Sequence, residues 1–271
     1  MRYTLKDYQV EAVRDVLRNL ERARDSYHRY GAKSQFSLAA TTGAGKTVMA
    51  AAVIEALFFG SDEFDVAPDP GAVVLWFSDD PALNEQSRAR IQAAASELDH
   101  RLRVVPTTFS DPSFRPGNVY FLNTQKLSKN SRLVKGAPDV NGDDTLPGLE
   151  RRPDEVQSSI YDTITNTIAN EDLTLYLVLD EAHRGMGTRA SERSTTVQRL
   201  INGQGSVPPM PVVFGISATV ERFEAAMKDA KGRDALPSVQ VDSSLVQASG
   251  LLKDDIALSI PAEEGAFETV L

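Results

Sequence analysis

Cysteine is missing from this sequence of 271 residues. Its absence excludes disulfides, thiol nucleophiles and metal sites built on cysteine. A chain that has no need of disulfides suits a reducing compartment.

Long hydrophobic runs are also missing. The longest apolar stretch covers residues 48–59, is interrupted by Glu55 and is too short to cross a bilayer. Residues 1–9 are polar and lack the apolar segment of a signal peptide. The sequence therefore predicts a soluble, cytoplasmic protein without membrane contact.

A basic excess is the third feature that the sequence lacks, since its formal net charge is −9. A compact nucleic-acid-binding module usually carries an excess of Lys and Arg. This charge disfavours a stand-alone DNA-binding module. The basic residues near the N-terminus indicate either a solvated helix face or a phosphate contact; they are Arg14, Arg18, Arg22, Arg24, Arg29 and Lys33.

Short apolar runs alternate with segments of helical periodicity along the chain. The runs predict strands over 35–40, 71–78, 103–105, 118–122, 173–179 and 211–216. The periodic segments predict helices over 5–30, 46–59, 81–98, 156–170, 191–201 and 220–230. This alternation predicts an α/β fold with a mostly parallel central sheet and helices on both faces.

The predicted organisation is one large domain with short additions. We expect an N-terminal helix over residues 1–34, the α/β domain over 35–260 and the start of a linker over 261–271. Residues 128–153 are rich in Gly, Asp, Asn, Pro and Lys and are predicted to form a surface insertion.

Residues 40–47 read Ala-Thr-Thr-Gly-Ala-Gly-Lys-Thr and match the phosphate-binding loop pattern, with Ala40 in place of its first glycine. The motif follows a predicted strand and opens a predicted helix, whose N-terminus favours anions. Lys46 is expected to reach the β- and γ-phosphates of a nucleotide, and the Thr47 hydroxyl to bind Mg²⁺. The predicted nucleotide contacts are Thr41, Thr42, Gly43, Ala44, Gly45, Lys46 and Thr47.

Two adjacent carboxylates, Asp180 and Glu181, follow the predicted strand over 173–179. In an open α/β sheet, ligands bind at this end of the strands. Asp180 suits the binding of Mg²⁺, and Glu181 suits the activation of the attacking water. His183 could hydrogen-bond a polar loop that follows an adjacent strand.

With both loops identified, the sequence resembles superfamily 2 helicases of the DEAD/DEAH-box type, most closely the helicase (Res) subunit of Type III restriction enzymes. The corresponding motifs are the Q motif at 5–9, motif I at 40–47, motif Ia at 77–86, motif Ib at 122–126, motif II at 180–183 and motif III at 217–219. The resemblance implies a RecA-like lobe that uses ATP and Mg²⁺.

The resemblance also implies roles for individual residues. Gln9 would pair with N6 and N7 of adenine. Motif III, with Ser217 and Thr219, would couple the nucleotide site to the nucleic acid. The implied contacts to a nucleic acid backbone are Ser78, Thr124, Gln125 and Lys126. For Ser78 and Thr124, capping of a strand end is an equal alternative, and Asp79 and Asp80 would repel phosphate.

Only the first of two RecA-like lobes is expected in this sequence. About fifty residues follow Thr219, whereas a second lobe needs on the order of 150. Neither an arginine-finger motif nor the carboxylate–lysine cluster of a restriction nuclease is found. We therefore expect an N-terminal portion of a larger protein that hydrolyses little ATP alone.

The leading interpretation is the motor lobe of a DNA helicase or translocase acting on double-stranded DNA. The implied partners are the missing second lobe and a modification or nuclease subunit. An RNA-directed DEAH-box ATPase and a nucleotide-binding regulatory module that does not hydrolyse ATP are the alternatives.

Overall fold

The computed structural model describes residues 1–128, 131–135, 158–180, 192–203 and 205–251, with the backbone alone for residues 192–196. An 8-stranded sheet runs through these residues. Its strands are β1 (Lys33–Ala39), β2 (Ala72–Ser78), β3 (Leu102–Val104), β4 (Asn118–Asn123), β5 (Thr174–Asp180), β6 (Val212–Ser217), β7 (Arg233–Ala235) and β8 (Val239–Gln240).

The strand order is β3-β4-β2-β5-β6-β1-β7, and β8 pairs with β1 beyond the end of β7. Every pairing among these strands is parallel. The carboxyl ends of the strands therefore lie at one edge of the sheet, where an α/β fold places its ligands.

Helices cover both faces of this sheet. They are α1 (Asp7–Tyr30), α2 (Lys46–Phe59), α3 (Pro81–Ala94), α4 (Arg132–Lys135), α5 (Ile160–Ala169), α6 (Glu192–Asn202), α7 (Val220–Met227) and α8 (Ser243–Ala248). One hydrophobic core joins α1, α2 and α3 to the sheet, and a second joins α5, α6 and α7 to it.

Strand β2 shows why the two cores lie on opposite faces. Val74 and Trp76 belong to the first core, whereas Val73 and Leu75 belong to the second. Successive side chains of a strand point to opposite faces, and every residue of β2 is buried. A strand buried on both faces is an unbroken apolar run, which is the pattern that predicted it. The predicted α/β fold with a parallel sheet between helices is confirmed.

Helix α2 begins and ends where the sequence predicts, because a glycine stands at each end. Gly45 precedes it at φ 82° and Gly60 follows it at φ 76°. Only glycine adopts such left-handed angles without a steric cost. The helix lies between α1 and α3, and its alanine-rich surface lets both approach closely.

The structure differs from the prediction in α3 and β7. The helix predicted over 81–98 ends at Ala94, because Ala95 is extended at φ −133°, and a 3-10 turn follows at Ser96–Leu98.

Strand β7 has no apolar pattern and was not predicted. Its Arg233 guanidinium donates hydrogen bonds to carbonyls of Ser34 and Met210. Burial lowers the pKa of Arg233 to about 10.

Parts of the predicted surface insertion and linker lie outside the described residues. These are residues 129–130 and 136–153 of the insertion and the whole of the linker, residues 261–271. Within the parts of the chain that the structure describes, no helix combines the length and the apolar character needed to cross a membrane.

Candidate functional site

The carboxyl edge of the sheet collects polar residues from several strands. Asp180 ends β5, Ser217 ends β6, and the loop over 40–45 follows β1. Strand register places Asp180 beside Ile216, and Ser217 beside Ala39. The phosphate-loop motif and the acidic strand end, predicted separately, therefore meet at one edge.

The phosphate loop curls because two of its glycines adopt left-handed angles, Gly43 at φ 91° and Gly45 at φ 82°. A Cβ atom on Gly45 would lie 2.5 Å from the Gln9 amide nitrogen. Ala40, at the first glycine position of the pattern, needs no such angle, because Asp65 is the one non-glycine residue with positive φ in the described chain. Alanine at position 40 is therefore compatible with the loop.

Lys46 lies at the mouth of this loop, as the first residue of α2. Its ammonium donates hydrogen bonds to the carbonyl oxygens of Ala40 at 2.8 Å and Thr41 at 3.2 Å. These bonds hold the positive charge against the loop that would cradle a polyphosphate. The N-terminus of α2 lies at the same place, and a helix N-terminus favours anions.

Helix α1 supports the loop from behind through one carbonyl. The Tyr8 hydroxyl and the Gln9 amide nitrogen both donate to the Ala44 carbonyl, at 2.9 and 3.0 Å. The Gln9 amide oxygen accepts from the Lys6 backbone N–H at 2.9 Å. Gln9 is 5% exposed, and its bond to Ala44 stabilises the loop. The Gln9 amide retains one N–H and one lone pair for a further partner.

The loop opens on a cavity of about 630 Å³, within the range of about 300–1,000 Å³ that is usual for small-molecule sites. The predicted residues that line it are Thr42, Gly43, Gly45, Lys46, Thr47 and Asp180. The structure therefore brings both parts of the candidate nucleotide site to one cavity.

Sequence reasoning missed the opposite wall of this cavity. Leu83, Gln86, Ser87 and Arg90 of α3 line it, together with Tyr3. Their spacing of three and four residues places the helix residues on one face, which the sequence does show. The sequence does not show that this face points toward the phosphate loop, because that depends on how α3 packs against α2.

Asp180 has a partner on α3. The buried Ser87 hydroxyl donates to a carboxylate oxygen of Asp180 at 2.7 Å. Asp180 and Thr47 line the same cavity, and a hydroxyl and a carboxylate are the hard oxygen donors that Mg²⁺ prefers. No group of three acidic or imidazole ligands was found in the described residues. A Mg²⁺ ion shared with nucleotide phosphates needs no such group, so the donor set fits.

Two predicted catalytic residues, Glu181 and His183, lie outside the described residues. Their roles stay predictions.

A family model described as "Type III restriction enzyme, res subunit" matches residues 2–222. That span includes the phosphate loop, Asp180 and the cavity wall from α3. The chain belongs to the family of the Type III restriction enzyme res subunit.

Solved structures with similarity to this res-family chain include Dbp5 of S. cerevisiae. Dbp5 L327V bound to Gle1 H337R and IP6 is 12% identical with a TM-score of 0.38, and the match covers 89% of this chain and 51% of that one. Dbp5 bound to RNA and ADP BeF3 is 13% identical with a TM-score of 0.37, covering 86% and 50%. This chain thus spans about half the length of these chains. A search of curated proteins found no match.

In this res-family chain, the residues of motifs Ia and Ib are joined to each other. The buried Ser78 hydroxyl donates to the Asn84 amide oxygen at 2.7 Å. The buried Thr124 hydroxyl donates to Asp79 at 3.0 Å. Both hydroxyls therefore make bonds near the ends of their strands, which fits the alternative of strand-end capping. A contact between these hydroxyls and a nucleic acid stays a prediction, and it would require these bonds to break.

The same bonds explain the two acidic residues that depart from the res-family expectation. Asp79 accepts the Thr124 bond, and Asp80 caps α3 by accepting from the Ala82 backbone N–H at 2.7 Å. Gln125 is exposed. The Lys126 ammonium donates to the Val105 carbonyl, and burial lowers the pKa of Lys126. Strand contact by Gln125 and Lys126 stays a prediction.

Motif III lies at the end of β6. The fully buried Ser217 hydroxyl donates to the Thr219 carbonyl, and Thr219 directly precedes α7. Ser217 also accepts a bond from the Ala40 backbone N–H, at 3.2 Å from its carbonyl oxygen. Motif III is thus linked to the start of the phosphate loop, while the predicted coupling role of Ser217 and Thr219 is untested.

Proposed function

We propose that this chain binds ATP with Mg²⁺ and hydrolyses it as the motor lobe of a DNA helicase or translocase, of restriction or DNA-processing type. One observation carries the proposal: Lys46, Thr47 and Asp180 line a single cavity at the carboxyl edge of a parallel sheet. A cation, a hydroxyl and a carboxylate around a glycine-rich helix start are the groups that hold a nucleotide triphosphate and its metal.

Each residue has a distinct task in this proposal. Lys46 neutralises charge on the transferred phosphoryl group, and Thr47 and Asp180 hold Mg²⁺. When bound, Mg²⁺ offsets the negative charge of the phosphates. Glu181 orients the attacking water and accepts its proton. His183 hydrogen-bonds a neighbouring loop.

The outer part of the cavity suits a purine. Tyr3 lines it with 51% of its surface exposed, and an exposed aromatic ring can stack on a base. Gln9 is not among the residues that line this cavity. In the proposal it pairs with the adenine edge through the N–H and the lone pair that its bonds to Ala44 and Lys6 leave over. The proposed ligand is therefore ATP rather than another nucleoside triphosphate.

Two arguments support a nucleic acid as the partner, and the first of them favours the proposed double-stranded DNA. The matching family is described as a restriction enzyme subunit, and restriction acts on DNA. Gln125 and Lys126 lie just beyond β4, at the carboxyl edge where the candidate nucleotide site also lies. The proposed partners are a second RecA-like lobe, which supplies an arginine to the cavity, and a modification or nuclease subunit.

Replacement of Lys46 tests the nucleotide site directly. Lys46→Ala should weaken ATP binding by about 100-fold, since removal of a charged hydrogen-bond partner commonly costs up to about 3 kcal/mol. The measurement is titration calorimetry of ATP·Mg on the purified chain. Lys33→Ala, at the opposite end of β1, is the matched control and should bind like the wild type. Wild-type affinity in Lys46→Ala would contradict the proposal.

A second assay, on this chain together with the proposed second lobe, identifies the nucleic acid. ATP hydrolysis should be stimulated by duplex DNA and much less by RNA of the same sequence. Stimulation by RNA alone would favour the RNA-directed alternative. ATP binding without hydrolysis under either condition would favour a regulatory module.

A further inference from the structure

Helix α3 forms a wall of the candidate nucleotide cavity that no residue of motifs I or II supplies. It packs against α2, and both helices begin at the carboxyl edge of the sheet. Its cavity face comprises Leu83, Gln86, Ser87, Arg90 and Ala93. Gln86 and Arg90 are exposed polar side chains, whereas Ser87 is buried.

Ser87 is the buried member of this face, at 6% exposed. Its hydroxyl donates to Asp180 Oδ2 at 2.7 Å, across 93 positions of sequence. A serine within a helix often bonds back to a carbonyl of its own preceding turn. A bond from a hydroxyl to a carboxylate is among the stronger hydrogen bonds, and here it reaches the residue expected to hold the metal.

The position of Ser87 is itself fixed by the end of β2. Asp80 caps the start of α3, and the Asn84 amide oxygen accepts the Ser78 hydroxyl at 2.7 Å. Asn84 and Ser78 are both almost fully buried. One turn of helix separates Asn84 from Ser87, so the hydroxyl is held at a fixed place relative to the neighbouring end of β5.

We propose that Ser87 is a positioning residue, whose hydroxyl holds the Asp180 carboxylate in the orientation that receives the Mg²⁺ of ATP. The inference rests on the proposed function, since it assumes that Asp180 meets this metal. A carboxylate held at one oxygen cannot rotate freely about its side-chain torsion. Loss of the hydroxyl would remove one bond that orders the carboxylate before the metal binds. Loss of such an outer partner commonly weakens metal binding by about 10- to 100-fold.

The test compares nucleotide binding with and without the metal. The purified chain is titrated with a ribose-labelled fluorescent ATP analogue at a series of Mg²⁺ concentrations and in EDTA. For Ser87→Ala we expect the half-saturating Mg²⁺ concentration to rise about 10-fold. Affinity in EDTA should stay within about twofold of the wild type, because the phosphate loop is intact. Ser87→Thr retains the hydroxyl and should restore the Mg²⁺ dependence.

Ser37→Ala is the matched control for the loss of one buried hydroxyl. Ser37 is fully buried in β1, and its hydroxyl donates to Ser238 at 3.0 Å. Equal thermal stability of the two alanine variants, with a Mg²⁺ defect in Ser87→Ala alone, supports positioning. An unchanged Mg²⁺ dependence in Ser87→Ala, or an equal defect in the alanine and threonine variants, overturns it. Failure of the wild type to bind the analogue under any condition overturns the proposed function as well.

Discussion

At the scale of single residues, the candidate site is built from side chains that serve the protein as well as the ligand. Gln9 and Tyr8 both donate to Ala44, and a Cβ atom on Gly45 would lie 2.5 Å from the Gln9 amide nitrogen, which would have to move. A defect caused by changing Gln9 could therefore come from a loosened loop or from a lost base contact. Tyr8 offers a way to separate these two effects.

We expect Gln9→Ala to lower the preference for ATP over GTP, whereas Tyr8→Phe should weaken both nucleotides equally. Each change removes one donor to the Ala44 carbonyl, but only Gln9 is proposed to pair with adenine. Loss of that pairing should reduce the ATP/GTP affinity ratio by roughly 1–2 kcal/mol, or about 5- to 30-fold. Competition binding against a labelled nucleotide measures the ratio. The same ratio in Gln9→Ala and wild type would remove Gln9 from base recognition.

The elements show where sequence patterns sufficed. Helix α2 was predictable to the residue because a glycine with a positive φ stands at each of its ends. Strand β2 was predictable because a strand buried on both faces is an unbroken apolar run. The phosphate loop and Asp180 follow from local motifs in the same way. Strand β7 has no local signal, since Arg233 and the edge of β1 create it together. Ser87 and Tyr3 belong to the site through the packing of α3 and the N-terminal segment, which no periodicity encodes.

The packing of α7 against β6 gives a testable prediction. A Cβ atom on Gly215 of β6 would lie 2.0 Å from the Phe223 ring, which is almost fully buried. Gly215→Ala should push α7 away from the sheet and lower the free energy of unfolding by about 1–3 kcal/mol, the usual cost of overpacking. Urea denaturation measures the change.

The control for this effect is a double-mutant cycle with Phe223→Leu. The smaller side chain leaves room for the new methyl group, so Gly215→Ala should cost less in that background. Equal costs in the two backgrounds would show that the ring does not set the position of α7. The result matters for the site, because α7 begins directly after Ser217 and Thr219.

At the scale of the whole molecule, electrostatics and fold give different indications of function. The net charge of −9 disfavours free binding to nucleic acid, whereas the function proposed from the family and the cavity is that of a motor lobe. The basic residues of α1 do not resolve this conflict. Arg18, Arg24 and Arg29 each lie within 4 Å of an acidic neighbour on the same helix. Such exposed pairs contribute little stability, but they reduce the charge available to an external phosphate.

We therefore expect the chain alone to fold, to bind ATP·Mg and to hydrolyse it hardly at all. The described residues form a hydrophobic core on each face of one sheet, which supports independent folding. Lys46 and Mg²⁺ would stabilise only one side of the transferred phosphoryl group. An arginine finger typically contributes on the order of 10³ to 10⁵ in rate, and the proposal assigns that arginine to a second lobe.

Duplex DNA should increase the rate of hydrolysis little, because one negatively charged lobe binds a strand weakly. Steady-state hydrolysis by the purified chain with and without duplex DNA measures both effects, with Lys46→Ala as the background. Strong hydrolysis stimulated by DNA would mean that this chain, alone or through self-association, supplies the arginine itself.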